Sequence, residues 1–202
     1  MPRGRKLNRT PFLVLALTLG ACDVEQLPLA CPSVAPGEIV VTEIRGPQSG
    51  PNTRGEWIEL YAPGMELRGL ELTFTELDGS GGSTVRVRRD LVANAEGYVT
   101  LGSGDTEQAP VDIDYGAGND FGGLPSSGIL EVRACNEVVD AVIFRGLPDM
   151  GTLALDGALG PDATANDDES NWCVDAREAT DGTETTEFGL PGSPRVRNPS
   201  CM

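Results

Sequence analysis

Beyond residue 22 this chain shows no sustained i, i+3, i+4 apolar repeat of the kind an amphipathic helix needs. It is built instead from short runs of β-branched and aromatic residues, cut apart by Gly, Pro, Asn and Asp. The runs are EIVVTEIR (38–45), GEWIELYAP (55–63), LRGLELTFTEL (67–77), STVRVRRDL (83–91), GYVTLGS (97–103), VDIDYG (111–116), GILEVRAC (128–135), EVVDAVIFRG (137–146) and GTLALDG (151–157). Turn signals every 8–12 residues in an all-strand chain predict a β-sandwich or barrel. Local pairing is legible too. Cys135-Asn136-Glu137 separates two runs by a tight turn, so 129–144 reads as a hairpin, and GSGG at 79–82 joins two more. Residues 157–184 are rich in Asp, Ala, Asn, Thr and Gly, with one apolar island at Trp172-Cys173-Val174. They read as a long surface loop pinned by a buried tryptophan and a disulfide, and loops of that length tend to be functional or poorly ordered.

The first 22 residues follow other rules. Arg3, Arg5, Lys6 and Arg9 precede an apolar run from Pro11 to Ala21, and Leu19-Gly20-Ala21-Cys22 closes it. A bilayer-spanning helix needs about 20 apolar residues, so the run is too short to cross. A basic start, a short apolar stretch and small residues before a cut site make a secretory signal peptide. Cysteine directly after Leu-Gly-Ala resembles a bacterial lipobox. That resemblance implies cleavage before Cys22 and a diacylglyceryl thioether on its sulfur. The other reading is an ordinary cleaved signal with Cys22 as a passenger. Two or three acyl chains hold a protein firmly where one does not. Asp23 resembles the inner-membrane retention signal of enteric bacteria, but sorting rules differ between bacterial groups, so inner and outer membrane stay open. Residues 22–36, with three prolines, read as a tether, and the domain runs from 37 to 201.

Processing at Ala21 leaves 181 of the 202 residues, enough for one large domain. The leader takes four of the 15 basic residues with it, leaving 11 against 31 acidic ones, a net charge of −20. That balance argues against nucleic-acid binding, which relies on Lys and Arg neutralising phosphates, and against polybasic contact with anionic lipids. The whole chain lacks histidine, which rules out Ser-His-Asp and Cys-His nucleophile pairs, HExxH zinc sites and an imidazole base. No G-x-S-x-G, P-loop, C-x-x-C or G-x-G-x-x-G is present. Carboxylate pairs remain for glycoside or phosphate chemistry. The expectation is a protein that is not an enzyme.

Besides Cys22, four cysteines remain: Cys31, Cys135, Cys173 and Cys201. An even count in an exported, loop-rich chain implies two disulfides with three connectivities. The preferred pairing is Cys173–Cys201, clamping the C-terminal loop, and Cys31–Cys135, pinning the N-terminal entry to the sheet. Loop entropy gives about 3.5 kcal/mol for the first and about 4.7 kcal/mol for the second. Without a close pair, the four make a poor zinc site.

From Gly37 onward the chain resembles the lamin tail domain family. The resemblance rests on EIVVTEI (38–44) and on GEWIELYAPG (55–64), similar to the family's E-W-I-E-L-Y-N-P. It continues with ELRGLELT (66–73), EGYVTL (96–101) and FGLPGSPRVRN (188–198), the last similar to a closing PGapN. Ala62, Leu70 and Leu190 stand where Asn, Trp and Thr are usual, and 103–127 and 157–184 look expanded. The resemblance implies an immunoglobulin-like β-sandwich, a binding or scaffolding role, and no catalytic residues to transfer.

Three constellations remain. Alternation in GEWIELY puts Ile58 and Leu60 in the core and Trp57, Glu59 and Tyr61 on the opposite face, where Glu59 is expected to pair with Arg45 or Arg68. The stretch Asp156, Asp162, Asn166, Asp167, Asp168 and Glu169, and the group Asp112, Asp114, Asn119 and Asp120, carry the hard oxygen ligands calcium takes, without an EF-hand spacing. Solvated Asx turns are the favoured reading of both. Arg86, Arg88 and Arg89 form the basic cluster of the mature chain and are expected to balance neighbouring acids.

The leading expectation is a lipid-anchored, non-enzymatic module on the extracytoplasmic side of a bacterial envelope. It would contact a protein partner of unknown identity, take no cofactor, and meet the membrane through its N-terminal lipid. The alternatives are a calcium-dependent ligand-binding module using the acidic loops, and a hydrolase using Glu59 with a second carboxylate.

Overall fold

The computed structural model of the protein describes residues 30–47, 56–102, 112–114, 123–176 and 192–202. Each of the nine expected runs contains a strand: β1 (Val40–Arg45), β2 (Trp57–Tyr61), β3 (Leu70–Thr75), β4 (Ser83–Arg86), β5 (Tyr98–Gly102), β6 (Ile113–Asp114), β7 (Gly128–Ala134), β8 (Glu137–Phe144) and β9 (Thr152–Leu155). A tenth, β10 (Trp172–Asp175), is the apolar island that reads from sequence as part of a loop. It is an edge strand of four residues paired with β9 alone, too short and too polar around it to announce a strand period. Among the described residues the one helical element is a 3-10 turn at Glu169–Asn171, capped by Asp168, whose carboxylate accepts the Ser170 N–H.

The strands form two sheets, one ordered β10-β9-β1-β2-β5-β6 and the other β4-β3-β7-β8, antiparallel except for the short β5–β6 pair. Between them lies one apolar core, including Val41, Ile44, Ile58, Leu60, Leu72, Phe74, Leu101, Leu130 and Phe144. The fold is therefore the expected all-β sandwich. The 129–144 hairpin is present, turning through Cys135, which adopts a left-handed φ of 57°. Cys31 bonds to Cys135 and Cys173 to Cys201, with Cα–Cα separations of 5.6 and 5.8 Å. The first bond holds the chain entry on the sandwich. Val34 packs on the core, and the Ala30 carbonyl sits so close to Gly69 that any side chain there would collide with it.

Burial differs between the sheets. Along β3 and β7 it alternates residue by residue, one face buried and one partly open. Along β1 all six residues are buried, and β2 buries four of its five. Strands at the centre of the six-stranded sheet are thus covered on both faces, and the second cover comes from the C-terminal segment.

Candidate functional site

In the β1–β2 register, Glu43 lies directly opposite Glu59. A bulge between Val41 and Glu43 turns Thr42 toward the same side, so its hydroxyl donates to Glu59 Oε1 at 2.8 Å. Both glutamates are 0 % exposed. They lie on the face of the sheet away from Ile58 and Leu60, where Thr152 from β9 donates its hydroxyl to Glu43 Oε1.

Residues 192–198 cross this face as a strap. The Ser193 N–H donates to Glu43 Oε1 at 3.1 Å, and the Arg195 N–H donates to Glu59 Oε2. The Ser193 hydroxyl donates to Asp175 at 3.1 Å and lies 3.0 Å from Asn198 Oδ1. Asn198 then donates through Nδ2 to the carbonyls of Thr42 and Leu155, at 2.7 and 3.0 Å. The Arg195 guanidinium reaches Asp112 at 2.9 Å, and Asp112 in turn accepts from the Thr100 N–H and hydroxyl. Gly192 makes the close approach possible. A Cβ at its φ of +126° would sit 2.9 Å from Thr152 Cγ2 and 3.1 Å from Glu43 Oε1. A hollow of about 10 Å³ beside the strap, bordered by Thr42, Tyr98, Arg197 and Asn198, has room for one water.

Two carboxyl groups facing each other out of water cannot both ionise cheaply. Burial raises Glu43 to about 8, with Asp175 pushing the same way and the bonds from Thr152 and Ser193 and the charge of Arg45 opposing. Burial likewise raises Glu59 well above the usual carboxylate range, and the charge of Glu43 adds to it. The pair therefore holds a proton near neutral pH. Its neighbour Tyr98, edge-on to Tyr61 at 5.1 Å, is pushed up to about 12 by burial and then by Glu59.

Several expected contacts are corrected by this geometry. Glu59 is met by Thr42 and the Arg195 amide, not by Arg45 or Arg68; Arg68 bonds Asp90 at 3.2 Å, and the charge of Arg45 acts on Glu43. Glu43, the other half of the pair, lies in EIVVTEI (38–44), but nothing in that run singles it out as a site residue. Only the strand register brings it to Glu59. Trp172, expected to be buried, is half-buried and donates Nε1–H to the Asn166 carbonyl.

The acidic stretch 156–169 spends its oxygens on its own chain. Asp156 accepts from the Ala158 and Cys201 amides, and Asp162 from those of Thr164 and Ala165. Asp168 caps the 3-10 turn, and Glu169 pairs with Arg145 at 2.6 Å, while Asp167 is exposed. Asn166 is buried and donates Nδ2–H to Asp140 at 2.8 Å and to the Val41 carbonyl at 3.2 Å. Asp140 also accepts the Val41 N–H at 2.7 Å, so Asn166 and Asp140 tie the loop and β8 to β1. Burial raises Asp140 to about 6 against these bonds. Among the described residues no group of three or more His, Cys, Asp or Glu could hold a metal ion. Asp114 lies in β6, and Asn119, Asp120 and Cys22 lie outside the described residues. Arg86 engages Glu71 through Nε at 2.8 Å, and Arg89 donates to the Asp112 carbonyl.

The class these observations define is an all-β sandwich with one sheet strapped on its outer face. Comparison with known proteins finds no matching family model, no matching curated protein and no matching solved structure.

Proposed function

We propose that this protein is a lipid-anchored, extracytoplasmic binding and scaffolding module with no reaction of its own. The observation that carries the reading is how the cysteines divide. Four of the five are taken up by two disulfides, leaving Cys22 directly after Leu19-Gly20-Ala21. Two disulfides suit an oxidising compartment, and a cysteine kept out of them at a lipobox suits acylation. Cys31 follows Cys22 by nine residues, which reach at most about 30 Å when fully extended. With the 5.6 Å Cα–Cα span of the disulfide to Cys135 added, the β7–β8 turn of the sandwich stays within about 36 Å of the acylated residue.

A lamin-tail-like role in protein–protein contact or envelope organisation is supported by where two of the quoted motifs meet. Glu59 of GEWIELYAPG lies under Gly192–Asn198 of the closing FGLPGSPRVRN. Against a hydrolase stands the same contact, since both Glu59 oxygens are taken by Thr42 and the Arg195 amide.

The test is fractionation of the full-length protein in a bacterial host fed an acyl-chain label. Label and membrane association are expected for the native chain, and both are expected to be lost in Cys22→Ser. A Cys22→Ser protein still bound to membranes, or an unlabelled native protein, would overturn the reading. Cross-linking of the anchored protein in intact cells then identifies the partner, and recovery of cross-linked polypeptides is the expected result.

A further inference from the structure

We infer that the segment Gly192–Asn198 is a proton-controlled strap, closed over the Glu43–Glu59 pair while that pair carries a proton and released when both carboxyls ionise. Among the described residues the strap covers the pair on this face, and it contacts both members through the backbone amides of Ser193 and Arg195, on either side of Pro194. The charged and titratable groups around the pair come from every packed element. Arg45 comes from β1, Asp175 from β10, Tyr98 from β5, Asp112 from just before β6, and Arg195 and Arg197 from the strap, while β9 supplies the neutral Thr152. Carboxyls outnumber the cations, and the Arg195 guanidinium is already engaged with Asp112. Among the described residues Arg45 is the cation whose charge acts on Glu43, and it does not offset the burial of that carboxyl.

The amide bonds from the strap favour the ionised form, but burial outweighs them at both glutamates. Ionisation consequently favours any arrangement that lets water reach the pair. Moving β1 or β2 would break the centre of the sandwich, since each is bonded on both sides. Lifting the strap breaks its own hydrogen bonds, those of Ser193, Arg195 and Asn198 and that of Arg197 to the Gly157 carbonyl among them, but no strand pairing. Its far end stays attached, because Cys201 is bonded to Cys173 on β10. Release is thus local and reversible.

The sign follows from linkage. The closed form holds the proton more tightly than a solvated glutamate, so the open fraction rises about tenfold per pH unit above the ordinary carboxylate range. It levels off once the closed pair has also ionised, near 8 for Glu43.

The experiment is amide hydrogen exchange on the full chain from pH 5 to pH 9, corrected for intrinsic exchange, with tryptic cleavage after Arg195 and Arg197 as a second readout. Protection of Ser193 and Arg195 is expected to fall at least tenfold across the range while Ile58 and Leu60 stay protected. Glu43→Gln, which stays neutral, is expected to keep the strap protected at pH 9. Strap protection that is constant with pH, or a Glu43→Gln strap that opens as the native one does, would overturn the inference. If Glu43→Gln does not fold, carboxyl 13C titration of the native protein decides. Loss of strap protection must then begin below the ionisation of the closed pair and level off with it, and protection that stays constant through that ionisation would overturn the inference.

Discussion

In the four-stranded sheet, β3 buries Leu70, Leu72 and Phe74 and leaves Glu71, Thr73 and Thr75 partly exposed, as a sheet with one wet face does. In the six-stranded sheet, β1 buries Val40 through Arg45 without a break. The strands are of equal length and similar composition, and both sheets pack on the same core. What separates them is a cover. The outer face of the first meets solvent with its charges paired laterally, as Arg86 with Glu71 and Arg133 with Glu131. The outer face of the second is closed by residues about 150 positions further along the chain, and its carboxyls must settle their charge inside the protein. Polar alternation therefore has two meanings here: a wet face on one sheet, and a second, hydrogen-bonded interior on the other.

The contrast is open to attack by substitution. The largest effect belongs to the shared core: Leu60→Ala is expected to cost about 2–5 kcal/mol at any pH, measured by denaturant unfolding. A cost that varied with pH would show the two faces of β2 to be coupled. The second effect is specific to the strapped face. A carboxyl whose folded value is raised contributes stability that is complete below its unfolded value and disappears as pH rises through the folded one. For Glu43 that window runs from about 4.5 to about 8, and Asp140 adds a smaller one ending near 6. Stability of the native protein should fall across it, at most by about 1.4 kcal/mol per pH unit per proton. Glu43→Gln is expected to flatten most of that slope and to melt above the native protein at pH 8. A slope unchanged by the substitution would mean the pair ionises without cost.

Smaller changes probe the contacts that hold the second interior together. Asn166→Ala removes a donor from buried Asp140 and should cost about 1–3 kcal/mol. Gly192→Ala brings a methyl against Thr152 and Glu43 at a left-handed φ, and should cost about 1–2 kcal/mol, with exchange loosening at Ser193 before it reaches β2. The smallest expected effect is none. Millimolar calcium should leave the melting temperature unchanged, because the oxygens of 156–169 already serve their own backbone. A rise of several degrees would restore the calcium-dependent reading.

What the sequence discloses follows the same divide. The nine runs contain β1 through β9 because local period and turn chemistry are properties of neighbours in the chain. The core role of Ile58 and Leu60 is legible for the same reason, and the two disulfides join the pairs preferred on loop grounds. The strapped face is not legible. Glu43 lies in the EIVVTEIR run with no feature that singles it out, and nothing local places it against Glu59 or places Gly192 over both. Asn166 reads as one more polar residue in an acidic loop, yet it is buried because Asp140 and Val41, distant in sequence, need its amide. β10 was hidden by its shortness, its pairing supplied by β9 and its position by Cys201. Long-range contacts, not local preference, decide all four.

The central claim is that the six-stranded sheet buries a carboxyl pair which keeps a proton under the strap. Carboxyl 13C titration of Glu43 and Glu59 in the native protein tests it most directly. The expected result is that at pH 7 the pair still retains one proton, with the midpoint of Glu43 ionisation only near 8. Two carboxyls that both ionise in the ordinary range, near 4.5, would contradict it.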